Sequence, residues 1–284
     1  MDARTRGIWA TVLAGLAWST AGLFLKLLPQ GAFTILCYRA LYVMGVFFLL
    51  YRREVFRFNR QTAINAFFYA GLAITFVLST KMTTAANAIF LQYTGTAYIL
   101  ILEPLLFKLP LRRINIITTV ACFLGMGLFF LEDFDWQGLQ GIFWGAISGL
   151  MFAGLFLGQR SNPPEYHVGA IFFGNVLVVL VSLPFWLQSA PPTLAEHGML
   201  AFLGIFQLSA GYALFTYGLK RITAMEASLI AMLEPLFNPI WVMLGHGETP
   251  SLLAWIGGGI IITALIIRLL VLRRQKLIAL RQLR

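Results

Sequence analysis

The strongest constraint on this chain is a series of ten apolar stretches, each long enough for a helix to cross a membrane. A helix needs about 20 residues to span about 30 Å of hydrocarbon. The connecting segments are too short to hold a soluble domain. The sequence therefore predicts an all-α membrane protein with ten transmembrane helices, over residues 7–28, 31–51, 61–80, 85–106, 112–131, 138–159, 167–187, 198–219, 224–244 and 251–271.

Composition excludes an ordinary soluble protein. Of the 284 residues, 59% are hydrophobic and only 11% are charged, whereas soluble domains have about 25% charged residues. The net charge of +10 is compatible with nucleic-acid binding only if the cations form a surface patch. The positions of the cations in the sequence show whether they form such a patch or mark the cytoplasmic loops of a membrane protein.

The cations segregate by loop. With ten spans, the two termini and the even-numbered loops lie on one side, and that side carries 18 of the 21 Lys and Arg residues. Cytoplasmic loops carry such an excess, so both termini are expected in the cytoplasm. A basic tail from Arg268 to Arg284 suits the anionic headgroups of the inner leaflet.

Sequence signatures of catalysis or of metal binding are not found. The chain has no HExxH, GxSxG or P-loop motif, and its two cysteines, Cys37 and Cys122, both fall within spans. We therefore expect no cofactor, no metal and no enzyme activity. No loop is long enough for a nucleotide-binding domain, so a gradient is expected to drive any transport.

The two halves of the sequence resemble each other. Gly7-Ile8 and Gly15-Leu16 recur 134 residues later, and residues 81–88 match residues 220–227 at a shift of 139. Each half has five spans, an odd number, so the second half must enter the membrane upside down. We therefore predict two inverted five-helix repeats, residues 1–135 and 136–284, which is an arrangement typical of alternating-access transporters.

This pattern resembles the drug/metabolite transporter superfamily, EamA type. The residues that carry the resemblance are the Gly-rich first span of each half, Thr84 to Ala88 with Thr223 to Ala227, Glu234-Pro235, and Trp255 to Gly259. Residues 88–94 and 98–104 are similar to YddG-like amino acid exporters of the bacterial inner membrane. Thr96 stands where that family has a proline in the fourth span, so the sequence does not predict a kink there.

The candidate substrate-binding residues are aromatic or polar side chains that recur at helical spacing or lie near mid-depth in several spans. Trp18 could equally pack between helices, and Gln207 and Tyr212 could equally bond neighbouring helices. The full set is Trp18, Ser19, Phe76, Thr80, Tyr93, Thr94, Tyr98, Ser148, Phe152, Gln207, Tyr212 and Glu234.

Two ionisable residues lie deep in the spans. Glu234 either contacts substrate or a proton, or bonds a neighbouring helix, and Arg39 either attracts a substrate carboxylate or ties helices together. Pro235 frees the carbonyl of Ala231 from its helical hydrogen bond, so that oxygen either faces a ligand or finds a partner on a neighbouring helix. Glu103 is expected to pair with Lys108.

The expected function is export of small amphipathic metabolites, most simply aromatic and other amino acids, across the inner membrane by alternating access. The alternatives are a drug or nucleotide-sugar carrier of the same superfamily, or a membrane channel. The expected partners are a small-molecule substrate and the lipid bilayer, not nucleic acid, and a monomer is compatible with the sequence.

Overall fold

The computed structural model of the protein describes residues 2–83, 85–133, 138–246 and 252–282. Over these ranges the chain is helical and contains no strand, as the sequence predicts. The α-helices are α1 (Ala3–Trp18), α2 (Ala21–Leu27), α3 (Ala32–Tyr51), α4 (Arg60–Met82), α5 (Ala85–Tyr93), α6 (Gly95–Phe107), α7 (Arg113–Asp133), α8 (Leu139–Ser161), α9 (His167–Trp186), α10 (Leu194–Phe202), α11 (Gly211–Leu219), α12 (Ala224–Ala231), α13 (Leu233–His246) and α14 (Leu252–Gln282).

These helices combine into segments that match the predicted spans. Within the described ranges, nine segments are long and apolar enough to cross a membrane, and Arg113–Leu128 in α7 is a shorter apolar helix. The expectation of about ten apolar helices therefore agrees with the fold. The basic tail begins as an extension of the last span, because α14 continues to Gln282.

Parts of three predictions lie outside the described residues. Thr84 of the first repeated motif is one of them, the division between residues 135 and 136 is another, and Arg284 at the end of the basic tail is the third.

The outer surface is apolar in a way that only lipid tolerates. Leu49, Leu105 and Leu269 are 74%, 72% and 45% exposed, and many other large apolar side chains share this outward position. In water a surface of this kind would drive aggregation, whereas lipid tails solvate it. The exposed leucines therefore mark the lipid-facing surface of the bundle.

Close helix contact in the interior depends on glycine. Gly95 at the start of α6 and Gly149 in α8 face each other, and a Cβ on Gly95 would lie 2.5 Å from the Gly149 carbonyl oxygen. No larger residue fits there without moving one helix away, which is the usual role of small residues between membrane helices. The pair brings α8 against the interrupted segment formed by α5 and α6.

Four of the membrane segments are interrupted near their middle. The first breaks between α1 and α2, the fourth at Thr94, and the ninth at Met232. The eighth contains a π-helix, Leu203–Ala210, between α10 and α11. The breaks at Thr94 and Met232 agree, within one residue, with the 139-residue shift between the halves.

The break in the fourth segment was not expected, because that segment has no proline near Thr94. The Thr94 hydroxyl donates to the carbonyl oxygen of Leu91 at 2.6 Å, and the Thr94 amide donates to the same oxygen at 3.2 Å. Threonine can satisfy a backbone carbonyl in this way and bend a helix. The break lies directly at the close contact with α8, where a Cβ on Gly149 would collide with the Thr94 hydroxyl oxygen.

The first and last segments meet at one end of the molecule. Arg4 at the start of α1 forms an ion pair with Glu226 of α12, and Arg268 of α14 lies 3.9 Å from the same carboxylate. Arg160, at the end of α8, donates to the carbonyl oxygen of Ile222 at 3.0 Å. We call this end of the molecule the basic face.

Glu103 does not pair with Lys108. Its two carboxylate oxygens accept hydrogen bonds from the backbone N–H groups of Ala224 at 2.7 Å and of Met225 at 2.9 Å. These amides are at the N-terminus of α12, where a helix has donors without intrahelical partners. The sequence-based interpretation was wrong because the partner of Glu103 lies 121 positions away along the chain.

This contact gives a stability prediction. Replacing Glu103 with Ala removes two charge-assisted hydrogen bonds, so we expect a loss of about 3 kcal/mol and a fall of roughly 5–10 °C in the thermal unfolding midpoint in detergent. The unfolding midpoint of Glu103→Gln should lie between those of the wild type and Glu103→Ala, because glutamine keeps one acceptor oxygen. Glu54→Ala serves as the control, since Glu54 is exposed. A Glu103→Ala protein that unfolds at the wild-type temperature would contradict the assignment.

Candidate substrate cavity

A small cavity lies at the level of the helix interruptions. Its volume is about 60 Å³, and its walls come from α1, α3, α4, α5, α8, the π-helix, α11 and α13. Six of the predicted site residues line it, namely Trp18, Phe76, Phe152, Gln207, Tyr212 and Glu234. Arg39 also lines it, and the remaining lining residues are Leu72, Ala73, Val77, Gln92, Phe156 and Leu208.

The cavity holds one buried cation and one buried carboxylate. Arg39 and Glu234 are each only 5% exposed. They are not joined by an ion pair within 4.0 Å among the described residues. A buried charge without a full partner is costly, so both groups create a strong demand for ligands of opposite charge.

Gln207 holds Arg39 in place. The Gln207 side-chain oxygen accepts from Arg39 Nη2 at 2.9 Å, and its nitrogen donates to the Trp18 carbonyl oxygen at 3.4 Å. The Trp18 carbonyl is at the C-terminal end of α1, where helical carbonyls lack partners. Gln207 lies in the π-helix, a geometry that is frequent at functional sites. Gln207 therefore positions the Arg39 guanidinium and satisfies the Trp18 carbonyl at the interruption of the first segment.

Three buried donors at the cavity have no hydrogen-bond partner among the described residues. They are Nε and Nη1 of Arg39 and the indole Nε1 of Trp18. Buried polar groups in native proteins are nearly always hydrogen-bonded. The arrangement is thus suited to an acceptor-rich anionic group such as a carboxylate.

Glu234 is held from the fourth segment. The Tyr93 hydroxyl lies 2.9 Å from Glu234 Oε2 and 2.6 Å from the carbonyl oxygen of Ala231. Pro235 cannot donate to that carbonyl, so Tyr93 supplies the missing donor. The carbonyl freed by Pro235 therefore finds its partner on a neighbouring helix, the second of the two alternatives.

Five of the lining residues are aromatic, namely Trp18, Phe76, Phe152, Phe156 and Tyr212, and other rings pack against them. Ring contacts form a continuous chain from Tyr69 through Tyr212 (4.8 Å) to Trp18 (5.1 Å), and on to Phe215 (5.5 Å). From Phe215 the chain continues through Phe156, Phe152 and Tyr93, at centroid distances of 4.5, 4.1 and 5.3 Å. Such surfaces bind apolar and aromatic ligand groups well.

Six predicted site residues do not line the cavity. Tyr93 is fully buried and contacts the lining residues Glu234 and Phe152, while Tyr98 is 38% exposed on the outside. The hydroxyls of Thr80, Thr94 and Ser148 donate to carbonyl oxygens of their own helices. Ser19 donates to Leu16 and accepts from Trp241 Nε1 at 2.8 Å.

Sequence reasoning missed several apolar lining residues and underrated Arg39. Leu72 and Val77 flank Phe76 on α4, and Phe156 lies one turn beyond Phe152 on α8. The spacing of Phe152 and Phe156, four residues apart, was a readable signal of a shared helix face. Nothing in the composition of a leucine or valine distinguishes a cavity wall from ordinary packing.

Comparison with known proteins adds to this geometry. Residues 139–270 match the family model of the EamA-like transporter family. The chain is 24% identical over 260 residues to an uncharacterized transporter of Archaeoglobus fulgidus, a match that covers 91% of this chain and 94% of that protein. A solved crystal structure resembles 96% of this chain over 99% of its own length, with a TM-score of 0.79 and 18% identity, which shows the fold alone.

Residues 139–270, a little under half of the chain, therefore resemble the EamA-like transporter family. Both comparisons are with transporters, in keeping with the sequence-based expectation of a transport protein.

The hydrogen bonds of Tyr93 give a testable prediction. Tyr93→Phe removes the hydroxyl that lies within hydrogen-bond distance of both the Ala231 carbonyl and Glu234, so we expect a loss of about 1–3 kcal/mol because a buried acceptor is left unpaired. The thermal unfolding midpoint in detergent measures it. The control is Tyr98→Phe, the same chemical change five residues along the same segment at an exposed position. Equal midpoints for the two variants would contradict the role given to Tyr93.

Proposed function

From this EamA-like fold, we propose a secondary transporter that exports small amphipathic metabolites, most simply aromatic and other amino acids. Export runs from the cytoplasm across the inner membrane by alternating access between two inverted repeats. The proposed orientation puts the basic face in the cytoplasm, in keeping with the loop charges. The single observation that carries the proposal is the pair of separated, oppositely charged residues in one aromatic cavity.

The charges suit a zwitterion. Arg39 presents two guanidinium nitrogens without partners, which can donate to a carboxylate in the paired geometry that guanidinium favours. Glu234, held by Tyr93, offers a carboxylate to an ammonium group. An amino acid placed between them neutralises both buried charges at once, which neither a simple amine nor a simple acid does.

The aromatic wall accounts for an apolar side chain on the substrate. Trp18, Phe152 and Tyr212 are among the cavity residues linked by ring contacts. A nucleotide sugar carries two phosphates and would need several buried cations, whereas Arg39 is the single Arg or Lys among the residues that line this cavity. The amino acid proposal therefore fits better than the nucleotide-sugar alternative.

Transport requires a conformational change, because the cavity is too small for the proposed substrate. A volume of about 60 Å³ holds a few water molecules, whereas ligand pockets usually measure about 300–1,000 Å³. The four interrupted segments around the cavity are the elements that can move to enlarge it. Discontinuous helices at a central site are a recurrent feature of secondary transporters.

The role of Arg39 is tested by efflux. Proteoliposomes loaded with labelled phenylalanine should lose it through the wild-type protein, while Arg39→Gln should lower efflux about tenfold or more, the equivalent of one lost charge-assisted contact. Arg39→Lys should retain part of the activity, because the charge stays but the paired donors are lost.

Substrate analogues sharpen this test. Phenethylamine lacks the carboxylate that Arg39 is proposed to bind. It should therefore inhibit phenylalanine efflux weakly in the wild type, and Arg39→Gln should change this inhibition little. Arg57→Gln serves as the charge-matched control, since Arg57 is exposed and does not line the cavity. An Arg39→Gln protein that is correctly reconstituted and exports phenylalanine at the wild-type rate would refute the assignment.

The proposed role of Glu234 predicts that phenylalanine efflux depends on pH. The carboxylate must be ionised to attract an ammonium group, so wild-type phenylalanine efflux should fall as the pH is lowered. The ionisable neighbours of Glu234 are Arg39, Tyr93 and Tyr212. Glu234→Gln cannot change its charge with pH, so its residual efflux should vary little. A pH profile that keeps the wild-type shape in Glu234→Gln would assign Glu234 to structure alone.

A further inference from the structure

A second and larger cavity lies at the basic face, away from the substrate cavity. Its volume is about 460 Å³, and it is enclosed by the start of α1, the end of α6, the start of α7, the start of α12 and α14. Three arginines, Arg4, Arg112 and Arg268, line it together with Glu103 and Glu226. We call this cavity the arginine cleft. The proposed transport mechanism does not use it.

Both acids of the cleft already have partners. The two oxygens of Glu103 accept from the amides of Ala224 and Met225, at 2.7 and 2.9 Å. Glu226 Oε1 accepts from Arg4 and lies 3.9 Å from Arg268 Nη2. One carboxylate is thus shared by two guanidinium groups, and the other is compensated by the N-terminus of a helix.

Positive charge is therefore left over. Arg112 is exposed, and no acid lies within 4.0 Å of it among the described side chains. Arg268 is only 6% exposed and is oriented by Asn115, whose side-chain oxygen accepts from Arg268 Nε at 3.0 Å. Three arginines against two already paired glutamates make a site for an anion, and guanidinium groups are well matched to phosphate oxygens.

Apolar residues share the lining of the cleft with the arginines. Leu100, Leu109 and Leu111 line the cleft, and Leu111 is 53% exposed at its rim. A separate groove of about 430 Å³ between α7 and α14 is lined by apolar residues such as Ile117, Ile260 and Ile267. α7, which begins directly after Arg112, and α14, which carries Arg268, thus also present surface suited to acyl chains.

We propose that the arginine cleft binds the phosphodiester headgroup of an anionic phospholipid, with its proximal acyl chain against the cleft leucines. A soluble phosphate would gain nothing from the apolar walls, and a zwitterionic lipid would bring its own cation towards the arginines. The bound lipid bridges α1, α12 and α14, which Glu226 connects, with α7, whose Asn115 orients Arg268. In the proposed orientation the lipid belongs to the cytoplasmic leaflet, where basic pockets between helices bind such headgroups.

The test uses the purified full-length protein in an uncharged detergent. Dioctanoyl phosphatidylglycerol should raise the thermal unfolding midpoint with a saturable dose dependence, whereas dioctanoyl phosphatidylcholine and inorganic phosphate should not. Arg112→Gln should raise the half-saturating concentration of phosphatidylglycerol about tenfold, as expected for the loss of one charge-assisted contact.

Arg113→Gln is the matched control. It makes the same charge change one residue further on, at an exposed position that does not line the cleft, and should shift the half-saturating concentration less than twofold. Equal stabilisation by phosphatidylcholine would overturn the proposal, as would equal stabilisation by inorganic phosphate, which would indicate a simple anion site. Equal losses in Arg112→Gln and Arg113→Gln would also overturn it, because they would indicate diffuse attraction of lipid to a basic surface.

Discussion

In hydrocarbon, every backbone N–H and C=O group needs a partner inside the protein, and this requirement organises the centre of the bundle. The helix interruptions expose such groups, and side chains from other segments satisfy several of them. Gln207 bonds the carbonyl of Trp18, Tyr93 bonds that of Ala231, and Glu103 receives the first amides of α12. The first two bonds satisfy carbonyls at interruptions and place polar side chains near the cavity, and the third satisfies a helix N-terminus at the basic face.

The same requirement explains why structural and ligand-binding roles overlap here. Tyr93 stabilises a helix end and also fixes the carboxylate of Glu234. Gln207 stabilises another helix end and also fixes Arg39. The alternatives left open by the sequence, structural bond or site lining, therefore do not exclude each other. A residue that satisfies backbone groups at an interruption is also well placed to orient a neighbour that faces the cavity.

The sequence allowed the helices to be located within a few residues, because length and apolarity in lipid leave few other possibilities. Half of the predicted site residues line the cavity. Most of these are large aromatic or ionisable residues at mid-depth, such as Trp18 and Glu234. A hydroxyl at mid-depth does not by itself indicate a side chain that faces the cavity, because Ser148 and Thr80 satisfy their hydrogen-bonding need within their own helices. The break at Thr94 and the partner of Glu103 depend on contacts between residues far apart in sequence, which helical periodicity does not reveal.

The clamping of α12 at both ends has a further consequence. Glu103 binds the first amides of α12, and Tyr93 binds its last carbonyl. Both residues belong to the fourth membrane segment, so this one segment holds both ends of the eight-residue helix from Ala224 to Ala231. That helix rises roughly 12 Å, and one inserted or deleted residue would rotate one end against the other by about 100°. Substitutions within α12 that preserve the helix are compatible with its contacts to Glu103 and Tyr93. An insertion or deletion within α12 is not. The interval between the two clamped ends should therefore have a fixed length among related chains that keep an acid and a tyrosine at these positions.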